Sequence, residues 1–179
     1  PYATVFRNGH YENYAIRSKG FHRWLRFEYG KQFTAKTRNG TTRPTAPSSQ
    51  AFNDGLLTLE AMACQGPMYE SCVRVGGNDN CVYIDLGKPD WSAIKIDQTG
   101  WELITNPPVK FIRPSGLRPL PTPRADGNID ELRSFINVTS DDDFTLIIGW
   151  FVGAFAPKGP YPILVVNGEQ GSAKSMLCR

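Results

Sequence analysis

Asn8-Gly9 divides two β-prone runs in Val5-Phe6-Arg7-Asn8-Gly9-His10-Tyr11. A two-residue turn of this composition accepts the positive φ angles of a type I′ hairpin, so the chain is predicted to open with two short antiparallel strands. From Ser18 the period changes. Phe21, Leu25, Tyr29 and Phe33 recur every four residues with Trp24 beside them, which predicts a helix capped by Ser18 and running to about Phe33. Ser48 and Ser49 start a second helix to about Ala63, with Phe52, Leu56, Leu59 and Ala63 on one side and Gly66-Pro67 as the stop.

Beyond it, Ser71 to Val75 and Cys81 to Leu86 alternate around Gly76-Gly77-Asn78-Asp79-Asn80, and Trp91 to Ile96 pairs with Trp101 to Ile104 around Asp97-Gln98-Thr99-Gly100. These runs predict an antiparallel meander, joined by Val109 to Ile112. Two helices against such a sheet make an α+β domain over residues 1–113. Pro114, Pro119, Pro121 and Pro123 then rule out a helix or central strand, so residues 114–127 read as a linker. A short helix is expected from about Asn128 to Asn137. A stronger one starts at Ser140, where Asp143 three residues on resembles a capping box and Asp141, Asp142 and Asp143 suit the positive helix end. As consecutive first-turn residues these acids point apart, which favours capping over a metal site. Phe144, Ile147, Ile148, Phe151 and Phe155 are expected to face a core, and Trp150 and Val152 extend the burial to other sides.

The 40% hydrophobic content and 12% aromatic content suit a folded chain of 179 residues with one sizeable core or two small ones. No apolar run approaches the roughly 20 residues needed to cross a bilayer, and no signal peptide is recognisable, so a cytoplasmic protein without a membrane partner is expected. Cys64, Cys72, Cys81 and Cys178 lack any C-x-x-C spacing, and only His10 and His22 could complete a site. Structural zinc is not expected, and the cysteines read as buried free thiols. Asp85 and Asp97 are single acids in different strands, without the paired carboxylates of a two-metal site.

The net charge of +3 hides an asymmetry. Residues 1–50 carry nine Lys or Arg against two acids, whereas residues 51–179 carry eleven against fifteen. A basic front attracts phosphate polyanions. Lys19, Arg23 and Arg26 fall off the apolar face of the first helix, and Arg17 and Lys31 sit at its ends. Ala35 to Ala46 follows with Lys36, Arg38 and Arg43 and no acid. The helix charges either contact DNA or solvate an outer face, and the following segment reads as a flexible arm that tracks a phosphate backbone or as a loop without a ligand.

Near the end, the apolar run Tyr161-Pro162-Ile163-Leu164-Val165-Val166 precedes Gly168-Glu169-Gln170-Gly171-Ser172-Ala173-Lys174-Ser175. A strand leading into two glycines and Lys-Ser predicts a phosphate-binding loop. Its backbone N–H groups from Gly171 to Lys174 would cradle the phosphates of ATP, Lys174 would reach the β and γ phosphates, and Ser175 would hold Mg through the nucleotide. Ala173 stands where the usual motif has glycine. The second strand, sensor and arginine finger of a complete NTPase have no counterpart in the 179 residues, so the sequence reads as the truncated front of one and is expected to be inactive alone.

The stretch Gly149-Trp150-Phe151-Val152-Gly153-Ala154-Phe155, Gly159-Pro160-Tyr161-Pro162 and the loop Gly168 to Ser175 resembles the ATPase entry of bacterial and prophage ATP-binding proteins related to primase-helicases. The similarity extends to Ala46-Pro47-Ser48-Ser49-Gln50 and to Val82 through Trp91. The resemblance implies an AAA+ or superfamily 3-like motor in the replication of a mobile element, oligomeric in the full-length protein. Residues 128–179 would then supply a helical segment, the first strand and the P-loop of an incomplete α/β ATPase domain. The other reading is a noncatalytic module that binds nucleic acid or a replisome partner without turning over ATP.

Overall fold

The computed structural model describes residues 1–167 apart from Asp79 and Thr139. It is a mixed α+β arrangement with antiparallel sheets. β1 (Tyr2–Arg7) and β2 (His10–Ala15) form the opening hairpin, with Arg7 opposite His10. Asn8 and Gly9 take φ of 50° and 87°, the positive pair that the tight turn requires. α1 (Lys19–Gln32) and α2 (Ser49–Gln65) begin where their serines predict. Ser18 accepts the N–H of Phe21 at 3.1 Å and Ser48 that of Ala51 at 3.2 Å. The helices close on the hairpin. Val5, Ile16 and Phe21 form a buried centre, with Leu25, Leu56, Leu59 and Ala63 packed around it.

The segment read as a flexible arm or a loop without a ligand is instead a second hairpin, β3 (Thr34–Lys36) with β4 (Thr42–Pro44). Its composition concealed it, because polar bonds rather than an apolar face close the ladder. Thr37 N and Oγ1 both donate to Thr41 O, at 2.8 and 2.9 Å, and Thr45 N and Oγ1 both donate to Phe33 O, at 2.9 and 2.8 Å.

β6 (Val75–Asn78), β7 (Cys81–Asp85), β8 (Ala93–Asp97) and β9 (Gly100–Ile104) make a four-stranded antiparallel meander. Two expectations shift here. Gly76 and Gly77 lie inside β6 rather than in its turn, because backbone and side chains approach them closely: a Cβ on Gly76 would stand 2.5 Å from Cys72 Sγ, and one on Gly77, at φ +135°, 2.1 Å from Cys81 O. Val109 to Ile112 does not extend the meander. β10 (Lys110–Phe111) pairs in parallel with β5 (Ser71–Cys72), and Ile112 N donates to Cys72 O at 2.7 Å. Trp91, Ala93 and Phe111 form a second buried centre, lined by Tyr83, Ile104 and Val109. The helices therefore pack on the hairpin, not on the meander, and the buried residues gather in two small cores, the second of the two arrangements that the chain length allows.

A buried ion pair joins these parts. Asp85 is fully buried at the end of β7, and Arg113 donates to both of its carboxylate oxygens, from Nε at 2.8 Å and Nη2 at 2.6 Å. Arg113 Nη1 donates to Lys88 O at 2.6 Å, and the guanidinium lies 3.9 Å from the Trp91 ring centre. Trp91 in turn meets Tyr14 edge-on at 6.3 Å. Tyr14 donates from its hydroxyl to Glu12 Oε2, and His10 Nε2 lies 3.0 Å from Glu12 Oε1, in a buried polar cluster on the inner face of β2.

The proline-rich segment 114–127 has no helix or strand, yet it is strapped to the meander. Leu120 N donates to Leu86 O and Arg74 Nη2 to Arg118 O, both at 2.8 Å, and Lys88 reaches Thr122 Oγ1. A 3-10 helix (Ile129–Phe135) lies within the short helix expected from about Asn128 to Asn137, and α3 (Asp141–Ala154) follows, with Ser140 accepting from Asp142 N at 3.1 Å and Asp143 N at 3.4 Å. α3 is covered less than its sequence predicts. Phe144 is buried under Arg133, whose guanidinium is 3.8 Å from the ring centre, but Phe155 and Val152 are exposed.

The expected strand at 161–166 does not form. A strand needs a neighbour to take its N–H and C=O groups, and none of the described residues runs beside it. The segment turns back on α3 instead: Trp150 Nε1 donates to Pro162 O at 2.9 Å, and the proline ring covers Gly153. Ile163 stays 89% exposed. The expected loop Gly168–Ser175 lies outside the described residues. No helix of the described residues is long and apolar enough to cross a membrane.

Truncating either partner of the buried pair leaves the other charge unpaired, so Arg113→Ala or Asp85→Ala should each cost about 3–5 kcal/mol in urea unfolding, and the double variant clearly less than their sum. Burial, followed by the hydrogen bond to Glu12, pushes the Tyr14 hydroxyl up to about 12. Between pH of about 10 and 12 an unfolded tyrosine ionises while Tyr14 keeps its proton, so this contribution to stability is full below about pH 10 and is lost as pH rises through 12. Tyr14→Phe should cost about 1–3 kcal/mol at neutral pH by removing a donor from buried Glu12. It should also flatten the alkaline decline, read by denaturant unfolding across pH 9–12.

Candidate nucleic-acid interface

A helix repeats every 3.6 residues, so Lys19, Arg23 and Arg26 lie one above the other on the side of α1 away from Phe21 and Leu25. All three are exposed, and none forms an ion pair among the described residues. The stripe continues one turn on to Gly30. There the missing side chain lets β4 sit against the helix, since a Cβ would stand 3.0 Å from Pro44 Cβ and 3.4 Å from Thr45 O. The hairpin seated at this point carries Lys36 on β3, Arg43 on β4 and Arg38 in the connection, all exposed. The sequence put these charges on a helix and an arm; the docking of Pro44 on Gly30 sets the hairpin at the end of the stripe, with Lys36 on the face that bears Pro44 and Arg43 on the opposite face.

The remaining predicted contacts are engaged within the protein. Arg17 donates from Nε at 2.6 Å and Nη2 at 2.8 Å to the two oxygens of Glu60 on α2, and these bonds hold the Glu60 carboxyl below the usual carboxylate range. Lys31 pairs with Glu28 at 2.7 Å, one turn back on α1. Arg26 keeps its charge free, but its guanidinium rests 4.3 Å from the ring centre of Phe52, which also meets His22 edge-on. α2 thus borders the stripe along one side and holds Arg26 in place.

Sequence reasoning missed the aromatic residues of this surface. Phe27 is off the 21-25-29-33 register and 59% exposed, with Lys31 Nζ 4.6 Å from its ring centre. Phe33 is in register but stands at the helix end, stacked on Tyr29 at 4.5 Å and 52% exposed. The i, i+4 spacing of Arg23, Phe27 and Lys31 was the signal available for the first; the second needed the hairpin to be known.

A cleft of about 310 Å³ lined by Ile94, Ile96, Trp101 and Pro123 is almost wholly apolar, and its one acid, Asp97, is held well below the usual carboxylate range by hydrogen bonds from Thr99 and Lys95. Among the described residues no group of His, Cys, Asp and Glu is placed to hold a metal ion. Cys64, Cys72 and Cys81 are free thiols; Cys64 is exposed rather than buried, and burial raises the Cys72 thiol. Compared with known proteins, the chain matches no family model, no curated protein and no solved structure.

Proposed function

We propose that residues 1–50 engage DNA, in a protein that binds ATP and Mg through Gly168–Ser175 and couples its hydrolysis to replication of a phage or mobile element. The observation that carries the DNA-binding part is the unpaired stripe Lys19, Arg23 and Arg26 running into the basic hairpin. Lys19, Arg23 and Arg26 on one side of α1, with Lys36, Arg38 and Arg43 on the hairpin at its end, have no acidic partners among the described residues, and the positive potential they set up favours a phosphate backbone, whose counterions are released on binding. The ATP-binding part rests on the motif and on the resemblance to primase-helicases, with Lys174 on the phosphates and Ser175 on the metal.

Fluorescence anisotropy with labelled DNA should show binding that weakens steeply with salt, and Lys19→Ala, Arg23→Ala and Arg26→Ala together should lower the slope of log K against log salt by roughly two to three. Arg17→Ala should change it little, because that charge is already spent on Glu60. Binding that is independent of salt and of the triple variant would sink the interface. In the intact protein Lys174→Ala should abolish ATP hydrolysis and leave DNA affinity without nucleotide unchanged. An undiminished hydrolysis rate would remove the loop from the reaction, and absence of hydrolysis in the parent protein would favour the noncatalytic nucleic-acid- or replisome-binding module.

A further inference from the structure

We infer that the basic surface of α1 and the β3–β4 hairpin is a platform for single-stranded nucleic acid, on which unpaired bases stack against Phe27 and Phe33. The inference rests on the DNA-binding reading above and adds the substrate class. Two observations carry it. First, cations flank aromatic rings that the fold leaves more than half exposed: Phe27 is 59% exposed beside Arg23, with Lys31 over its ring, and Phe33 is 52% exposed at the base of the hairpin that bears Lys36, with Tyr29 stacked on it, so each ring offers a base its remaining face. A large exposed ring is a poor outer surface in water, and its π face suits any base that is free to leave its own stack. Bases in a duplex are already paired and stacked, so such rings gain nothing from it.

Second, α1 is badly placed for the alternative. A major groove about 12 Å wide is filled by one helix with its side chains, so a reading helix needs a clear outer face. On α1 that face is bordered by α2, through Phe52 against His22 and Arg26, and is overlain at Gly30 by Pro44 and Thr45 of the hairpin. The stripe is bordered on one side by α2 and closed at its end by the hairpin, which obstructs a rigid cylinder more than a flexible strand.

The test is anisotropy of a labelled 20-nucleotide oligothymidine and a 20-base-pair duplex, with the unaltered chain and with Phe27→Ala, Phe33→Ala, Phe27→Leu and Phe27→Trp. The single strand should bind more tightly than the duplex. Each alanine variant should lose roughly 5- to 100-fold in single-strand affinity while duplex affinity changes less than twofold. Phe27→Trp should retain binding and Phe27→Leu should not, since leucine keeps apolar area without a π face. Thermal unfolding of each variant confirms that the exposed positions leave the fold intact. Equal affinity for both DNAs with all Phe27 and Phe33 variants unaltered would overturn the stacking platform and leave the basic interface standing. Binding of neither DNA would overturn both.

Discussion

Asp85 has no route to solvent, so the arrangement around it depends on where its charge is answered. Arg113 answers it with two hydrogen bonds, spends a third on Lys88 O and lays its face on Trp91. A carboxylate buried without such a partner would cost several kcal/mol. β10 must therefore run where Arg113 can reach the end of β7, which places Phe111 in the core of the meander and sets β10 beside β5 instead of β9. A further contact to the Asp85 carboxylate, from Gly87 N to Oδ1 at 2.9 Å, shapes the connection to β8. Trp91 sits in that connection at φ +54°, a backbone state that a bulky residue holds only when its surroundings over-determine it. Arg113 above it and Tyr14 at its edge are those surroundings.

Tyr14 carries the constraint into the other half of the domain. The core between the hairpin and the two helices has few fully buried apolar residues, and His10 and Glu12 lie on the same inner face of β2 as Tyr14. Burying that carboxylate is tolerable because a phenol and an imidazole meet its two oxygens. The polar cluster favours the observed registry: a slip of one residue along β1 and β2 would turn Glu12 and His10 outward and put Tyr11 and Asn13 in their place. Asn13, on the outer face, instead donates to Phe111 O at 3.1 Å, so one face of β2 reaches β10 and the other, through Tyr14, reaches Trp91. Two small cores are thereby tied by directional contacts rather than by shared apolar volume.

The elements set by local chemistry were legible in the sequence. Asn8-Gly9 fixes a turn, Ser18, Ser48 and Ser140 fix helix starts, and the period of four in α1 marks its buried side. What was not legible depends on distant partners. Gly76 and Gly77 read as a turn because glycine marks both turns and close approaches, and only the position of Cys72 and Cys81 distinguishes them. The β3–β4 hairpin has no apolar alternation, since threonine hydroxyls and Pro44 do the work of a core. Val152, Phe155 and the run from Ile163 are apolar enough to predict burial, but burial requires a covering element, and Val152, Phe155 and Ile163 stay exposed. At the basic surface the sequence yielded every cation, but not which of them are already neutralised.

That distinction decides what the surface can do. Counting charge over residues 1–50 treats Arg17 and Lys31 as equal to Lys19 and Arg23, although Glu60 and Glu28 already offset the first two at close range. A charge paired at hydrogen-bond distance must break its pair to bind a phosphate, and the gain is then the difference between two similar contacts. Among the described residues Lys19, Arg23 and Arg26 have no such pair to break. Their mutual repulsion is spread along α1 at one-turn spacing and is tolerated because solvent screens it, so a polyanion laid along the stripe removes a standing cost instead of creating a new one. The same Glu60 that removes Arg17 from the surface fixes α2 beside α1, and α2 then presents Phe52 to Arg26. Neutralising one cation is thus part of how the fold aims another.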